Sequence, residues 1–216
     1  MNTRTSRRLG AVLLATLFAS LPARANLQST FDAGDEGWLA VDDGTHDYTS
    51  AWQAAGGNPG GFLLGHERPA LGGDAYFVAP PSWLGDWSQY LGGKVAYDLK
   101  VIEGTSYYPW PDIQIFNGTQ SVSWTSGANP VGHGWVNYSV TLSAANFKGD
   151  DLATVLSHVT AFRIRGEVID GPEQEGFDNV SLTAAVPEPE SYAMFLAGLG
   201  VLGALARRQG GGPARG

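Results

Sequence analysis

Acyl transfer, metal-assisted hydrolysis and phosphate chemistry each need particular side chains at fixed spacing, and the 216-residue chain offers none of these as a motif. Its histidines, His46, His66, His133 and His158, lie far apart, and no cysteine is present. The glycine-rich run Gly56-Gly57-Asn58-Pro59-Gly60-Gly61 does not lead from a strand into a helix as a phosphate loop must, so it reads as a turn. Glycoside hydrolysis needs two facing carboxyl groups. Glu67, Glu103 and Glu167 are available, but nothing around them in sequence pairs any two.

Two other kinds of site fit the residue types better. Sugar recognition uses flat aromatic faces for the C–H faces of pyranose rings and polar groups for the hydroxyls. Tyr107-Tyr108-Pro109-Trp110-Pro111 supplies the aromatics between two expected strands, and Asp112 beside it is a candidate hydroxyl acceptor. Its prolines stiffen the segment, so less order is lost on binding. The alternative is a loop folded onto its own aromatic side chains. Trp83 and Trp87 are a second option, with packing beneath a turn as the simpler reading.

The other site is a structural calcium ion. Period 2 on the last expected strand places Asp178 on the side of Val180 and Leu182, where a bare carboxylate is costly. Asp32 on the first strand lies near it if the chain ends pair, and Asp35 or Glu36 would complete an oxygen shell. Hydrogen bonds from loop amides to Asp178 would relieve the same cost, and both readings stay open.

These residues need a scaffold, and the stretch Ala75–Val101 is its most legible part. Val95, Tyr97, Leu99 and Val101 alternate with Lys94, Ala96, Asp98 and Lys100, the period of a strand with one buried face. Pro80 and Pro81 stop the apolar run Ala75–Val78. Further strands are predicted near 62–64, 112–116, 121–125, 135–142 and 161–167, with Val136, Tyr138, Val140 and Leu142 facing the core. Only 150–156 reads as a helix, capped by Asp150 or Asp151. Short strands between turn clusters, with 30 Gly and 12 Pro, predict an all-β sandwich in a single domain over 26–185.

Charge narrows the partners. Between Asn26 and Ala185, six Lys and Arg stand against 19 Asp and Glu, a net of −13. Such a surface repels nucleic acid and anionic lipid. Arg4, Arg7 and Arg8 precede an apolar run from Leu9 to Leu21 and then Pro22-Ala23-Arg24-Ala25, which predicts a secretory signal peptide over 1–25, cut by signal peptidase between Ala25 and Asn26. At the other end, 15 apolar residues from Tyr192 to Ala206 stand before Arg207 and Arg208 and predict a membrane helix with its basic end inside. Residues 209–216 read as a disordered tail. Asn117, Asn137 and Asn179 fit the glycosylation pattern and are read as incidental.

The run YFVAPPSWLGDWSQYLGGKVAYDL resembles the centre of the laminin B (type IV) domain, and the resemblance extends from Phe31 to Leu182. It implies a β-sandwich of jelly-roll type in extracellular matrix and bacterial secreted proteins, and no activity. Phe31-Asp32 with Gly37-Trp38, and the closing Gly176–Leu182, resemble the first and last strands of carbohydrate-binding jelly rolls, which implies that the two ends pair. Pro187-Glu188-Pro189, the apolar run and Arg207-Arg208 together resemble the PEP-CTERM sorting signal, over 186–208. That resemblance implies an exosortase, a transient stay in the inner membrane, and release to the surface or matrix of a Gram-negative bacterium that makes exopolysaccharide. The expected function is a non-catalytic, exported, polysaccharide-binding protein. The alternatives are an adhesive protein-binding module and, less favoured, a glycoside hydrolase.

Overall fold

The computed structural model describes residues 26–42, 48–67, 74–169, 173–185 and 189–209. Its strands are β1 (Leu27–Ser29), β2 (Leu39–Asp42), β3 (Tyr48–Gln53), β4 (Phe62–Glu67), β5 (Ala75–Val78), β6 (Lys94–Glu103), β7 (Ile113–Asn117), β8 (Gln120–Trp124), β9 (Val136–Thr141), β10 (Lys148–Gly149), β11 (Ala161–Arg165) and β12 (Gln174–Thr183). The helices are α1 (Leu152–Leu156) and α2 (Pro189–Gln209). One sheet runs β3-β4-β12-β6-β9, with β1 also paired to β12, and the other runs β10-β8-β7-β11-β5-β2. All pairings are antiparallel. This is a jelly-roll type β-sandwich.

The alternation on β6 and β9 settles which face is inside. Val95, Tyr97 and Leu99 are buried, as are Tyr138 and Val140 opposite them. Tyr97 and Tyr138 stack at 5.0 Å. Between the sheets Phe177 of β12 lies flat on Phe77 of β5, with centroids 4.4 Å apart and planes 8° apart. Trp38, Phe31, Trp83 and Phe162 close around them. Trp83 and Trp87 pack beneath the turn before β6, and the Trp87 indole donates to the Trp83 carbonyl at 2.7 Å. They form core, so this pair offers no sugar platform.

Asp151 caps α1, its carboxylate accepting the Thr154 amide at 2.8 Å. The chain ends meet as expected, Leu27 opposite Leu182 and Ser29 opposite Val180. The edge strands β2 and β3 were not announced by the sequence, because Leu39–Asp42 is short and Tyr48–Gln53 mixes polar and apolar residues without clean alternation.

The tail differs from its expectation. Residues 189–209 form one helix, but among the described residues no helix is long and apolar enough to cross a membrane. The physical reason is length: 15 apolar residues at 1.5 Å each reach roughly 22 Å, against a hydrocarbon core of about 30 Å. Its apolar side chains, Met194, Phe195, Leu196, Val201 and Leu202 among them, are exposed. The signal peptide with Ala25, and the sorting residues Pro187 and Glu188, lie outside the described residues. Pro189, Arg207 and Arg208 fall within α2.

Candidate functional site

Beyond β6 the chain turns at Gly104, whose φ of +120° suits glycine and where an added Cβ would meet Ile169 Cδ1 at 2.3 Å. That close approach brings the 104–112 segment against the far side of the molecule. Tyr107 bridges to Ile169, and the Tyr108 amide donates to the Val168 carbonyl at 2.9 Å. Glu173 fixes this partner segment by accepting the Val168 and Ile169 amides at 3.0 and 2.8 Å.

The four residues singled out for sugar binding then separate. Tyr108 and Trp110 are exposed, at 44% and 40%, and lie nearly parallel, with centroids 5.9 Å apart and planes 16° apart. Tyr107 turns in. Its hydroxyl is buried with no hydrogen-bond partner among the described residues, and its ring faces the Arg165 guanidinium at 5.7 Å. Asp112 is no hydroxyl acceptor, because it is 3% exposed, pairs with Arg165 at 3.1 Å and accepts the Ser126 amide. The other Arg165 terminal nitrogen donates to the Tyr108 carbonyl at 2.6 Å. Arg165 therefore bolts the aromatic segment to β11.

Next to Tyr108 and Trp110 the outer face of the second sheet presents groups the sequence did not single out. Tyr76 on β5, Gln114 and Phe116 on β7, and Arg163 on β11 occupy three adjacent strands. The Arg163 guanidinium lies 4.0 Å from the Tyr76 ring centre and 4.9 Å from that of Phe116, and its Nε donates to Gln114 Oε1 at 2.6 Å. Burial raises the Tyr76 phenol above its ordinary pKa and Asp74 adds to this, while Arg163 and hydrogen bonds from Gln114 and Trp110 pull it back. Tyr76 thus links the exposed aromatic pair to the arginine. One signal was legible: in Ala-Phe-Arg-Ile-Arg both arginines alternate with core residues, and the domain has only six basic residues.

The acidic corner is built differently from its expectation. Phe177 and Val180 both reach the core, so two residues intervene where period 2 allows one, and the register to β6 slips between Asp178 and Ser181. Asn179 absorbs this bulge at φ +51°. The slip turns Asp178 to the outer face, opposite Asp98 rather than beside Val180. There the 54–61 segment roofs it. Asp178 accepts the Asn58 and Asn179 amides at 2.6 and 2.7 Å. Asp98 accepts side-chain amides from Asn58, Asn137 and Asn179 at 3.1, 2.7 and 2.9 Å.

The loop-amide alternative is therefore what the geometry displays. Asp35 serves its own turn, accepting the Gly37 amide at 2.9 Å, and Asp32 accepts the Thr30 hydroxyl at 3.0 Å. Glu36 accepts the Thr30 and Phe31 amides. Among the described residues no three acids or histidines stand together as a metal-holding group. Glu103 and Glu167 are likewise engaged, with the Gln174 side chain and the Ala75 amide.

Burial, with Asp98 and Asp32 adding, pushes the Asp178 carboxyl up to about 6, against an ordinary 3.8, although the two amides pull it down. A raised acid favours the folded state fully below its unfolded pKa, and that contribution is lost as pH rises through the folded one. Relative to Asp178→Asn, the wild-type protein should therefore lose on the order of 2 kcal/mol between pH 4 and 7. Urea melts across that range check it. Parallel curves for the two proteins would remove the charge at Asp178 as the cause.

Comparison with known proteins agrees with this architecture. The L4b domain of human laminin alpha-2 is similar to the chain with a TM-score of 0.58 at 15% identity, over 75% of this chain and 98% of that one. A family 11 carbohydrate-binding module from Clostridium thermocellum, solved with a β-1,3-1,4-mixed-linked tetrasaccharide, gives 0.52 at 16% identity, over 76% and 98%. A family 30 module of a cellulosomal cellulase of the same organism gives 0.51 at 15%, over 76% and 100%. No curated protein matches the chain. The PEP-CTERM protein-sorting motif matches residues 185–209, marking the chain for export and processing at the membrane. The laminin B (Domain IV) family model matches residues 76–195, more than half of the sequence, and with the sandwich and its paired end strands this places the chain in the laminin B domain family.

Proposed function

We propose that the chain is a non-catalytic, exported glycan-binding protein whose site is the outer face of the second sheet, around Tyr108, Trp110, Gln114 and Arg163, with the buried Tyr76 supporting them. The observation that carries this reading is the exposed, parallel Tyr108–Trp110 pair standing beside fixed polar groups on rigid strands. Flat exposed rings receive the C–H faces of a pyranose, and the Gln114 amide and Arg163 guanidinium are placed to meet its hydroxyls. Strands hold these groups with little freedom, so little order is lost on binding. Exopolysaccharide of the producing cell is the ligand this reading favours. The sorting motif fits an exosortase acting after signal peptidase, with the sandwich delivered to the surface or matrix of a Gram-negative cell.

Trp110→Ala should weaken binding of the full chain to that exopolysaccharide by about 2 kcal/mol, roughly thirtyfold, with a melting temperature within about 2 °C of wild type. Titration calorimetry and a thermal melt read both numbers. Wild-type affinity in the variant would remove this face from glycan binding and favour a protein-binding role.

A structural calcium ion beside Asp32 and Asp178 belongs to the same proposal in a weaker form. What supports it is the mutual charge of Asp32, Asp98 and Asp178, which a divalent cation would relieve. Added calcium should then raise the wild-type melting temperature at pH 7 and leave Asp178→Asn unmoved. An unchanged wild-type melt, with and without chelator, sinks it.

A further inference from the structure

Arg163 is held in place by its neighbours. Its guanidinium carbon lies against the Tyr76 and Phe116 rings, and its Nε donates to Gln114 Oε1. Among the described residues no hydrogen bond or ion pair occupies its two terminal nitrogens, whereas Arg165 is paired with Asp112. In a domain with 19 acids and six basic residues, a clamped arginine with no carboxylate partner among the described residues keeps two donors for a ligand. A guanidinium meets a carboxylate with two parallel hydrogen bonds, and a fixed fork loses little entropy in doing so.

The register adds a second charge. Lys148 on β10 stands opposite Ser123 on β8, Ser123 opposite Gln114, and Gln114 opposite Arg163, so all four share one row on the outer face. Three strand spacings of about 4.8 Å separate Lys148 from Arg163, roughly 14 Å between backbones. Lys148 is exposed. Asp74 and Asp150 flank this row, but each is engaged, Asp74 by the Tyr76 hydroxyl at 3.3 Å and Asp150 by the Ser121 amide at 2.8 Å. Arg163 and Lys148 thus stand in one row with an aromatic pair at one side, and the two flanking carboxylates are held by other groups rather than by these cations.

We infer that the polysaccharide bound here carries carboxylates, as a uronic-acid polymer does, and that Arg163 reads them as a specificity-determining residue. This rests on the glycan-binding reading of the same face. The experiment titrates the full chain with polygalacturonate, with its methyl ester, with a neutral β-glucan and with single-stranded DNA. Polygalacturonate should bind at least about tenfold more tightly than its ester, and the preference should shrink as salt rises. Arg163→Gln should abolish the preference, and Arg163→Lys should restore only part of it because a lone ammonium cannot make the paired contact.

Equal affinity for acid and ester, or a preference that survives Arg163→Gln at an unchanged melting temperature, would overturn the inference. Neutral glucan bound as well as polygalacturonate, with both lost in Trp110→Ala, would overturn it while leaving glycan binding in place. DNA bound as tightly as polygalacturonate would show a site for any polyanion and overturn both. Failure of polygalacturonate to bind overturns the inference directly.

Discussion

Arg165→Ala is expected to destabilise the fold by about 3–5 kcal/mol and to release the Tyr107–Trp110 segment from the sandwich. The side chain is 2% exposed and pairs with an Asp112 side chain that is 5% exposed. Removing the cation leaves a carboxylate away from water with the Ser126 amide as its remaining protein partner. It also removes the hydrogen bond to the Tyr108 carbonyl and the cation beside the Tyr107 ring. Two effects should separate in measurement. Urea unfolding reads the loss of stability, and glycan titration of the folded variant reads the loss of Tyr108 and Trp110 geometry.

The double variant Arg165→Met/Asp112→Leu discriminates the cause. Replacing both charges with apolar groups of similar volume removes the stranded carboxylate, so most of the stability should return. Glycan binding should not return, because methionine cannot hold the Tyr108 carbonyl. A double variant as unstable as the single one would show that packing, rather than charge, sets the cost.

Phe177→Ala should cost a similar amount, about 3–5 kcal/mol, for a different reason. Phe177 is wholly buried and touches four other rings: Phe77 at 4.4 Å, Trp38 at 5.3 Å, Phe31 at 5.7 Å and Tyr97 at 6.0 Å. Phe77 belongs to the opposite sheet, so this contact joins the two layers at their centre. Alanine leaves a cavity between sheets that strand pairing holds at a fixed distance, so collapse is incomplete. A melting temperature lowered by about 10 °C and a weakened near-ultraviolet dichroism signal are the expected results. Phe177→Leu should recover about half of the loss. A leucine variant no better than alanine would place the cost in ring geometry rather than volume.

The fold was legible where one face is buried and the chain alternates. Lys94–Val101 and Trp135–Leu142 declared their inner faces because core residues recur at period 2, and the register across β6 and β9 follows from both. The paired ends were legible through Phe31-Asp32 and Phe177-Asp178. The bulge at Asn179 was not, since nothing in Asp-Asn-Val-Ser distinguishes a one-residue slip from continuous alternation. That one slip moved Asp178 to the other face, where loop amides and Asp98 surround it. The roof over it, 54–61, reads as a turn in sequence, and only its distance from β12 in the chain hides what it covers.

The site divided in the same way. Tyr108 and Trp110 were visible because aromatic residues between prolines are unusual core material. Tyr107 and Asp112 sit beside them in sequence, yet their direction depends on Arg165, more than fifty residues away. Tyr76, Gln114 and Arg163 are ordinary outward residues on three separate strands. What makes them a site is that β7, β11 and β5 are neighbours, a fact of strand order that local pattern does not contain.

The pairing of β1 with β12 has a mechanical side. The first strand and the tail leave from the same end of the sandwich, where the Ala184 amide donates to the Asn26 side chain at 3.4 Å. A polysaccharide strand tugging on the outer face would therefore load the domain against its tail through β12. That strand lies between β4 and β6 with β1 alongside, so the pull runs lengthwise along ladders on both flanks. Ladders pulled lengthwise must break many hydrogen bonds together, whereas a strand peeled from an edge gives them up one at a time.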